Sequence, residues 1–480
     1  MKETQVIAVD LDGTLTLTDT LHESVLSLLR NKPYLFLLLP FWLFQGIAYF
    51  KLKVSEHSEL DVTTLPYNQP LIDWLREEKL NGKKIVLSTA ANEQVALAVV
   101  NSFDLFDEFI ASDSKINLKS ALKRHALQER YGIKGYDYAG NSSDDIEVWA
   151  GASNAILVNA GERILKKVSK LASIKQTFSS GGSGIELWLK ALRVHQWIKN
   201  LLLFVPLLAA HQLGNIDFLG LLIIAFFSFS LCASSVYIIN DLLDLESDRS
   251  HPRKKNRPFA SAKLPIIAGV AIAPLLIGLS VALGVMVSIE FLIVLLLYFL
   301  LTATYSLVLK RLVLVDCVTL ATLYTIRIIA GAAAISLSIS FWLLAFSIFI
   351  FLSLAFVKRY VELLVHAKEA KCFVQGRGYA VSDAPLLQAL GVSSGYISAF
   401  IIALYIQTED IISLYTHPIA IWFMLPIILF WISWVWLKAT RGEMNDDPIV
   451  FAIKDKVSHL VAMLTAVIFL YASVGIHING

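Results

Sequence analysis

Polar and apolar positions change rhythm near residue 190 of this 480-residue chain. Before that point, short apolar runs alternate with amphipathic stretches and polar loops. Gln5–Val9, Lys84–Leu87, Glu108–Ala111, Tyr136–Ala139 and Ala155–Asn159 predict strands, and Glu93–Asn101 and Lys119–Tyr131 predict helices between them. That order predicts an α/β, Rossmann-like domain with a parallel doubly wound sheet, its ligands at the carboxyl ends of the strands. Beyond residue 190 the apolar runs lengthen. Nine of them, near 200–214, 217–239, 264–287, 291–309, 313–335, 341–357, 386–407, 418–437 and 457–476, approach the length that crosses a ~30 Å hydrocarbon core. They predict an all-α polytopic membrane domain over 190–480. The α/β domain covers 1–176, and 177–189, opening TFSSGGSG, reads as a flexible linker and interfacial segment.

Composition supports this division. Hydrophobic residues make up 56% of the chain and charged ones only 17%, below the ~25% usual for soluble proteins. A wholly soluble enzyme and a disordered or fibrous chain are thereby excluded. Residues 1–190 hold 21 Lys+Arg and 23 Asp+Glu, and residues 191–480 hold 20 and 16. A balance so near neutral gives no support for nucleic-acid binding. Cys232, Cys317 and Cys372 are scattered, implying neither a disulfide framework nor a zinc site. The start, MKETQVIAVDLDG, meets acidic residues before any long apolar run, unlike a signal peptide. Lys and Arg of the membrane half fall before 200, at 249–263, 310–311, 358–377 and 438–456, with Arg327 the exception. Alternate loops are therefore positive, which predicts an inner (cytoplasmic) membrane protein with its α/β domain in the cytoplasm. Nine spans put the C-terminus on the opposite side; eight do not.

The predicted strand ends carry phosphate chemistry. The first runs into Asp10-Leu11-Asp12-Gly13-Thr14, the second into Ser88-Thr89, and the fourth into Gly140-Asn141-Ser142-Ser143-Asp144-Asp145, while Lys119 opens a helix. Two carboxylates two residues apart can divide the roles of nucleophile and acid/base. A hydroxyl and a lysine can hold phosphoryl oxygens, and a further carboxylate can hold Mg2+. Alone, DLDGT could be only a polar turn; four elements in this order argue against that. Residues 5–160 resemble the haloacid dehalogenase superfamily of phosphatases. The resemblance implies that Asp10 is the nucleophile, that Asp12 is the acid/base, and that Thr89 and Lys119 bind the phosphoryl group. It places Asp10, Asp12 and Asp145 at Mg2+. The superfamily's usual aspartate after the last motif's glycine is Asn141 here. A cap is expected over about 20–75. Within it, Pro33–Phe50 (PYLFLLLPFWLFQGIAYF) is uncharged, broken by Pro40 and followed by Lys51 and Lys53. It reads either as a helical cap buried over the site or as one lying in the membrane interface.

In the membrane half, the second apolar run ends Asn240-Asp241-Leu242-Leu243-Asp244-Leu245-Glu246-Ser247-Asp248. Helical spacing predicts a stripe of Asn240, Asp244 and Asp248 with Asp241 beside it. Carboxylates so crowded suit a divalent metal that carries a diphosphate. Arg249 to Arg257 then add a cationic wall that could equally be an anchor on the cytoplasmic face. This pattern resembles the UbiA superfamily of intramembrane prenyltransferases, whose first aspartate motif binds diphosphate through Mg2+. Residues around Lys199, Tyr305 to Lys310 and Lys358 to Leu363 narrow the likeness to the branch containing decaprenyl-phosphate phosphoribosyltransferase. Where that superfamily carries a second acidic motif, this chain has Lys358, Arg359, Tyr360 and Glu362. Extra cations suit substrates with several phosphates. The resemblance implies a Mg2+-dependent enzyme acting at the lipid bilayer, catalytic at Asp241, Asp244 and Asp248 and with Asn240 at the metal. Substrate would meet Lys199, Asn240, Arg257, Tyr305, Lys310, Lys358, Arg359, Tyr360 and Glu362. The membrane half would move 5-phosphoribosyl from phosphoribosyl diphosphate to polyprenyl phosphate, and the α/β half would then remove the 5-phosphate. A prenyl diphosphate donor with an aromatic acceptor is the other transferase expected from the superfamily, and a transporter or lipid-binding scaffold is the non-enzyme one. Arg327, in mid-span, is read as a functional cation or as the partner of a helix carbonyl or Asp316.

Overall fold

A computed structural model describes residues 4–179, 184–368, 378–408, 415–444 and 447–474. The chain forms two compact units, Met1–Val194 with Tyr237–Pro274, and His195–Val236 with Leu275–Gly480.

The first unit is built on six parallel strands, β1 (Val6–Val9), β2 (Lys84–Asn92), β3 (Glu108–Ser112), β4 (Asp137–Gly140), β5 (Asn154–Val158) and β6 (Ser173–Phe178), ordered β3-β2-β1-β4-β5-β6. Five match the expected strands to within a few residues. The sixth was not expected: Ser173–Phe178 alternates weakly because it lies at the sheet edge with one side in water, and it takes Thr177 and Phe178 out of the predicted linker. Residues 180–183 of that linker lie outside the described residues. Central strands such as β1 are apolar throughout because both faces are buried against helices. The order reverses between β1 and β4, and Asp10 and Asn141 leave the sheet at this crevice, where ligands of such sheets bind.

The insert between the first two strands begins with a root helix, Thr20–Asn31, capped by Asp19, whose carboxylate accepts the Leu21 and His22 amides. A 3-10 turn (Pro33–Leu38), a short helix (Leu39–Phe44) and a cap helix (Ile47–His57) follow. Pro40 falls in the first turn of its helix, where a missing N–H costs nothing, and Gly46 (φ 106°) makes the bend into the next.

Eight apolar helices among the described residues have the length and composition to cross a membrane: Ile216–Leu243, Ile266–Val287, Ile289–Leu307, Val315–Ala334, Phe341–Ala367, Val381–Ile406, Pro418–Thr440 and Lys456–Ser473. The expectation of nine is corrected. The run near 200–214 instead becomes a 3-10 stretch, Val194–Phe204, and a short helix, Val205–Ala209. Pro206 removes a helical donor there, and polar residues tie the stretch into the second unit: Asn200 donates to Ser230 and Trp197 to Ser234. Val315–Ala334 is the inner helix of that unit, with 14 of its 20 residues buried. Gly331 lets it approach closely, since a Cβ there would lie 1.9 Å from the Leu203 carbonyl oxygen.

Candidate functional site

In the α/β unit, β1 ends in a tight loop. The Asp10 amide donates to the Ala139 carbonyl at 2.9 Å, fixing the loop to β4. Gly13 has φ 73°, and a Cβ on it would lie 2.0 Å from the Asn141 amide nitrogen, so only glycine lets the two loops close on each other. Asp10 and Asp145 are buried, and a lysine ammonium stands between them, 2.7 Å from Asp10 Oδ1 and 3.9 Å from Asp145 Oδ1. That lysine is Lys123. Lys119, expected in this role, lies before the helix Ala121–Tyr131 and makes a surface pair with Asp144. The helix phase could have found the right one: Lys123 and Leu127, four apart, are its two buried positions.

Tyr138, also unanticipated, donates its hydroxyl to Asp145 Oδ1 at 2.7 Å and accepts from Lys123 at 3.0 Å. Asp145 Oδ2 takes the Asn141 and Ser142 amides and the Ser142 hydroxyl. Asp12 accepts the Thr20 amide at 2.7 Å, so the second carboxylate of the loop holds the start of the root helix. Thr89 is buried and its hydroxyl accepts the Ala91 amide, whereas the hydroxyls of Ser88 and Thr14 are buried with no hydrogen-bond partner among the described residues. Burial pushes the Asp10 carboxyl up to about 7, the pull of Lys123 opposing it and the charges of Asp145 and Asp12 adding to it. Burial raises Asp12 to about 6, with Asp19 adding. Burial opposes the charge on Lys123, but Asp10 and Asp145 outweigh it and hold this lysine above its ordinary value.

A cleft opens beside Asp12, lined also by Asp19, Ser24, Lys51, Ser55 and Asn92. Lys51 enters it from the cap helix and donates to the Ala90 carbonyl (2.6 Å) and Asn117 (2.9 Å), and its burial lowers its pKa.

Also in the first unit, the acidic motif passes from the membrane helix Ile216–Leu243 into a short helix, Leu245–Ser250, with Asp244 as the residue between them. The backbone keeps its pitch: the Asp244 amide reaches the Asn240 carbonyl and the Asp248 amide the Asp244 carbonyl. Seven residues make nearly two turns, so Asp241 and Asp248 share a face, and Arg257 binds both, at 3.1 and 2.6 Å. Arg193, which also stacks on Tyr237, binds Asp241 at 2.5 Å. The same pitch places Asn240, Asp244 and Asp248 four residues apart along the helix, as expected, and arginine joins Asp241 to Asp248. Burial lifts Asp248 above the usual carboxylate range against the pull of Arg257.

The second unit sorts the expected cationic residues into two kinds. Arg359 is 1% exposed and clamped between Asp316 (2.5 Å) and Glu362, with the Tyr305 hydroxyl at 3.4 Å. Its charge is balanced inside the protein by these two carboxylates, so it braces the unit where a phosphate binder was expected. Tyr360 is corrected too: it lies in the apolar core, its ring 5.8 Å from that of Trp436. Lys358 differs. Half-buried, it makes no hydrogen bond or ion pair among the described residues. Lys199 is buried and paired with Asp447. Lys310 lies on the 3-10 turn Leu309–Arg311. Arg327 donates to the Leu323 carbonyl, to Asn200 at 3.0 Å and to the Tyr298 hydroxyl at 3.2 Å, beneath three aromatic rings. Of the two structural partners expected for it, the helix carbonyl is the one found; Asp316 belongs to Arg359.

Among the described residues no three His, Cys, Asp or Glu side chains gather closely enough to hold a metal alone. Hard carboxylate oxygens at Asp10 and Asp145 suit Mg2+, which takes one or two carboxylates and completes its shell from substrate phosphate and water. At the acidic motif, Arg257 holds Asp241 through Oδ1 and Asp248 through Oδ2, so a metal bound there would share these carboxylates with the arginine.

An acidic motif at the end of a membrane helix, in a chain whose helical unit also buries lysine and arginine, suits an intramembrane transferase. The chain belongs to the UbiA prenyltransferase family, whose model matches residues 200–367. It is 35% identical to uncharacterized protein y4nM of Sinorhizobium fredii over 96% of this chain and 90% of that protein. It is 34% identical to nodulation protein NoeC of Azorhizobium caulinodans, over 57% of this chain and 89% of that protein. Decaprenyl-phosphate phosphoribosyltransferase of Mycolicibacterium smegmatis is 30% identical over 57% of this chain and 88% of its own length.

Proposed function

We propose that the membrane domain transfers 5-phosphoribosyl from phosphoribosyl diphosphate to polyprenyl phosphate. The single observation that carries this choice is Lys358: a half-buried ammonium that makes no hydrogen bond or ion pair among the described residues, in a family named for prenyl transfer, favours an anionic substrate group. Likeness to the mycobacterial phosphoribosyltransferase supports the same donor and acceptor. Lys358 would neutralise a substrate phosphate; Asp241, Asp244 and Asp248, with Asn240, would hold Mg2+ and through it the leaving diphosphate. Stabilising that charge while an oxocarbenium-like ribose meets the lipid phosphate needs no enzyme nucleophile.

The α/β domain acts, on this reading, as a haloacid dehalogenase-type phosphatase that removes the 5-phosphate. Asp10 attacks phosphorus and Asp12 protonates the departing ribose oxygen; Asp12 then takes a proton from the water that cleaves the aspartyl phosphate. Lys123 neutralises Asp10 and the phosphoryl oxygens, and Tyr138 holds Lys123 and Asp145 in place. Mg2+, held by Asp10 and Asp145, would offset the charge gathered on the phosphoryl group. The family relative from Sinorhizobium fredii, similar over nearly all of this chain, supports a working connection between the halves.

The distribution of Lys and Arg supports an inner-membrane location with the α/β domain in the cytoplasm. The C-terminus would lie opposite if Val194–Ala209 also crosses. Eleven 3-10 residues at ~2.0 Å and five helical ones at ~1.5 Å together reach about 30 Å, enough for the hydrocarbon core. Incubating membranes containing the protein with labelled phosphoribosyl diphosphate and polyprenyl phosphate tests the transfer. Labelled lipid is expected; its absence, with label entering lipid from a prenyl diphosphate and an aromatic acceptor instead, would establish the other transferase.

A further inference from the structure

The insert over the Asp12 cleft is apolar on the outside. Leu35 and Trp42, 7% and 6% exposed, turn inward onto Leu28 of the root helix and Val54 of the cap helix. Phe36, Leu37, Phe41, Leu43 and Phe44 point outward, Leu37 79% and Phe44 91% exposed. Single exposed apolar residues are ordinary, but six within nine positions, Leu38 included, on two consecutive short elements mark a surface that meets another phase.

Two observations say which phase. From residue 24 to residue 55 the sequence has Arg30, Lys32, Lys51 and Lys53 and no acidic residue, the balance of a segment that lies against anionic headgroups. The root helix, on which this face packs, is also fastened to a membrane helix. Glu23 holds Arg249 with two hydrogen bonds, 2.5 and 3.1 Å, and Arg30 binds Glu246 at 2.9 Å. Arg249 and Glu246 belong to the short helix that directly continues the membrane helix Ile216–Leu243. The cap therefore hangs from an element that has just left a bilayer.

We propose that the outer face of residues 34–47 is a bilayer-docking surface that inserts into the interfacial layer of the membrane the chain spans. The following helix carries Lys51 inward to the cleft with Asp12, so docking would hold that cleft at the level of lipid phosphates. This last consequence rests on the phosphatase reading; the docking itself does not.

The test uses the full chain in nanodiscs of phosphatidylcholine and phosphatidylglycerol, in a Cys372→Ser background. Cys232 and Cys317 remain but are buried; one added cysteine at a time, Leu37→Cys, Phe44→Cys or, as a control, the exposed Ile133→Cys, carries an environment-sensitive fluorophore, and lipids with a nitroxide near the headgroup act as quencher. Probes at 37 and 44 are expected to shift to the blue and lose more than half their emission, and the probe at 133 to do neither. Unquenched probes at 37 and 44 would overturn the proposal, as would efficient disulfide crosslinking of Phe44→Cys between two chains, which would make a second copy the occupant. None of these readouts needs catalysis, so failure of the phosphatase reading is seen separately. If the phosphatase is active, Leu37→Ser with Phe44→Ser should slow hydrolysis of the lipid substrate in vesicles about tenfold and spare p-nitrophenyl phosphate. Unchanged hydrolysis of both would also overturn the proposal.

Discussion

Lys123 and Lys119 sit four residues apart, but only Lys123 reaches a buried carboxylate. Lys123→Ala is expected to lower hydrolysis of a small phosphate ester by at least about 100-fold, near 3 kcal/mol of transition-state stabilisation. Lys119→Ala should stay within about threefold; steady-state rates with Mg2+ decide. Asp10 and Asp12 make a second prediction. Their folded pKa values, about 7 and about 6, lie above the ~3.9 of an unfolded aspartate. Ionising them therefore costs folded-state stability, nothing below about pH 4 and the full amount above about pH 7. Metal-free Asp10→Asn and Asp12→Asn should each gain melting temperature over the wild type at pH 8 and lose that gain at pH 4. A gain that does not depend on pH would assign it to something other than the carboxylate charge. In the second unit, Arg359→Ala removes the guanidinium that balances the buried Asp316 carboxylate and is expected to destabilise by about 3–5 kcal/mol. Lys358→Ala removes no hydrogen bond or ion pair among the described residues and should leave melting nearly unchanged while, on the proposed function, raising the KM for phosphoribosyl diphosphate about tenfold.

Among elements, the root helix has several attachments. Its first amide holds Asp12, its Glu23 holds Arg249, and its C-terminal half carries the cap. Glu23→Gln and Arg249→Gln should each destabilise the first unit by a few kcal/mol, and the double mutant by less than their sum, because the first loss leaves the second group buried and uncompensated. Additive effects in a melting cycle would show that the pair is not coupled. This attachment was not visible along the chain, since 226 positions separate its partners. The strands and long helices were visible, because period and length belong to contiguous residues. Val194–Ala209 was misjudged as a ninth ordinary span because its apolar count matched the others while its geometry is set by Pro206 and by polar contacts with distant serines.

For the whole molecule, the proposed sequence of two reactions predicts an intermediate. Asp10→Asn removes the nucleophile and keeps its shape, so the transferase should run on and the lipid product should accumulate one phosphate heavier than from the wild type. Lipid mass spectrometry reads this directly; an identical lipid from both proteins would leave the phosphatase a different substrate. Cleavage inserted between Ser179 and Gly184 is expected to keep both chemistries and to slow the second by loss of tethering.

Sequence alone determined the parallel sheet with its carboxylate loop, eight of the membrane helices and the acidic motif. Each is a local matter of hydropathy period, of turn residues after a strand, or of carboxylates crowded at a helix end. Only the tertiary structure decided which charges are already balanced. Arg359 and Lys358 are neighbours in the chain, yet one is closed between two carboxylates and the other has no partner among the described residues. Likewise Leu35 and Leu37 differ only in the direction they face, inward to Leu28 or outward. A charge or an apolar side chain takes its meaning from what lies within a few ångströms of it, and those neighbours come from parts of the chain that no local pattern connects.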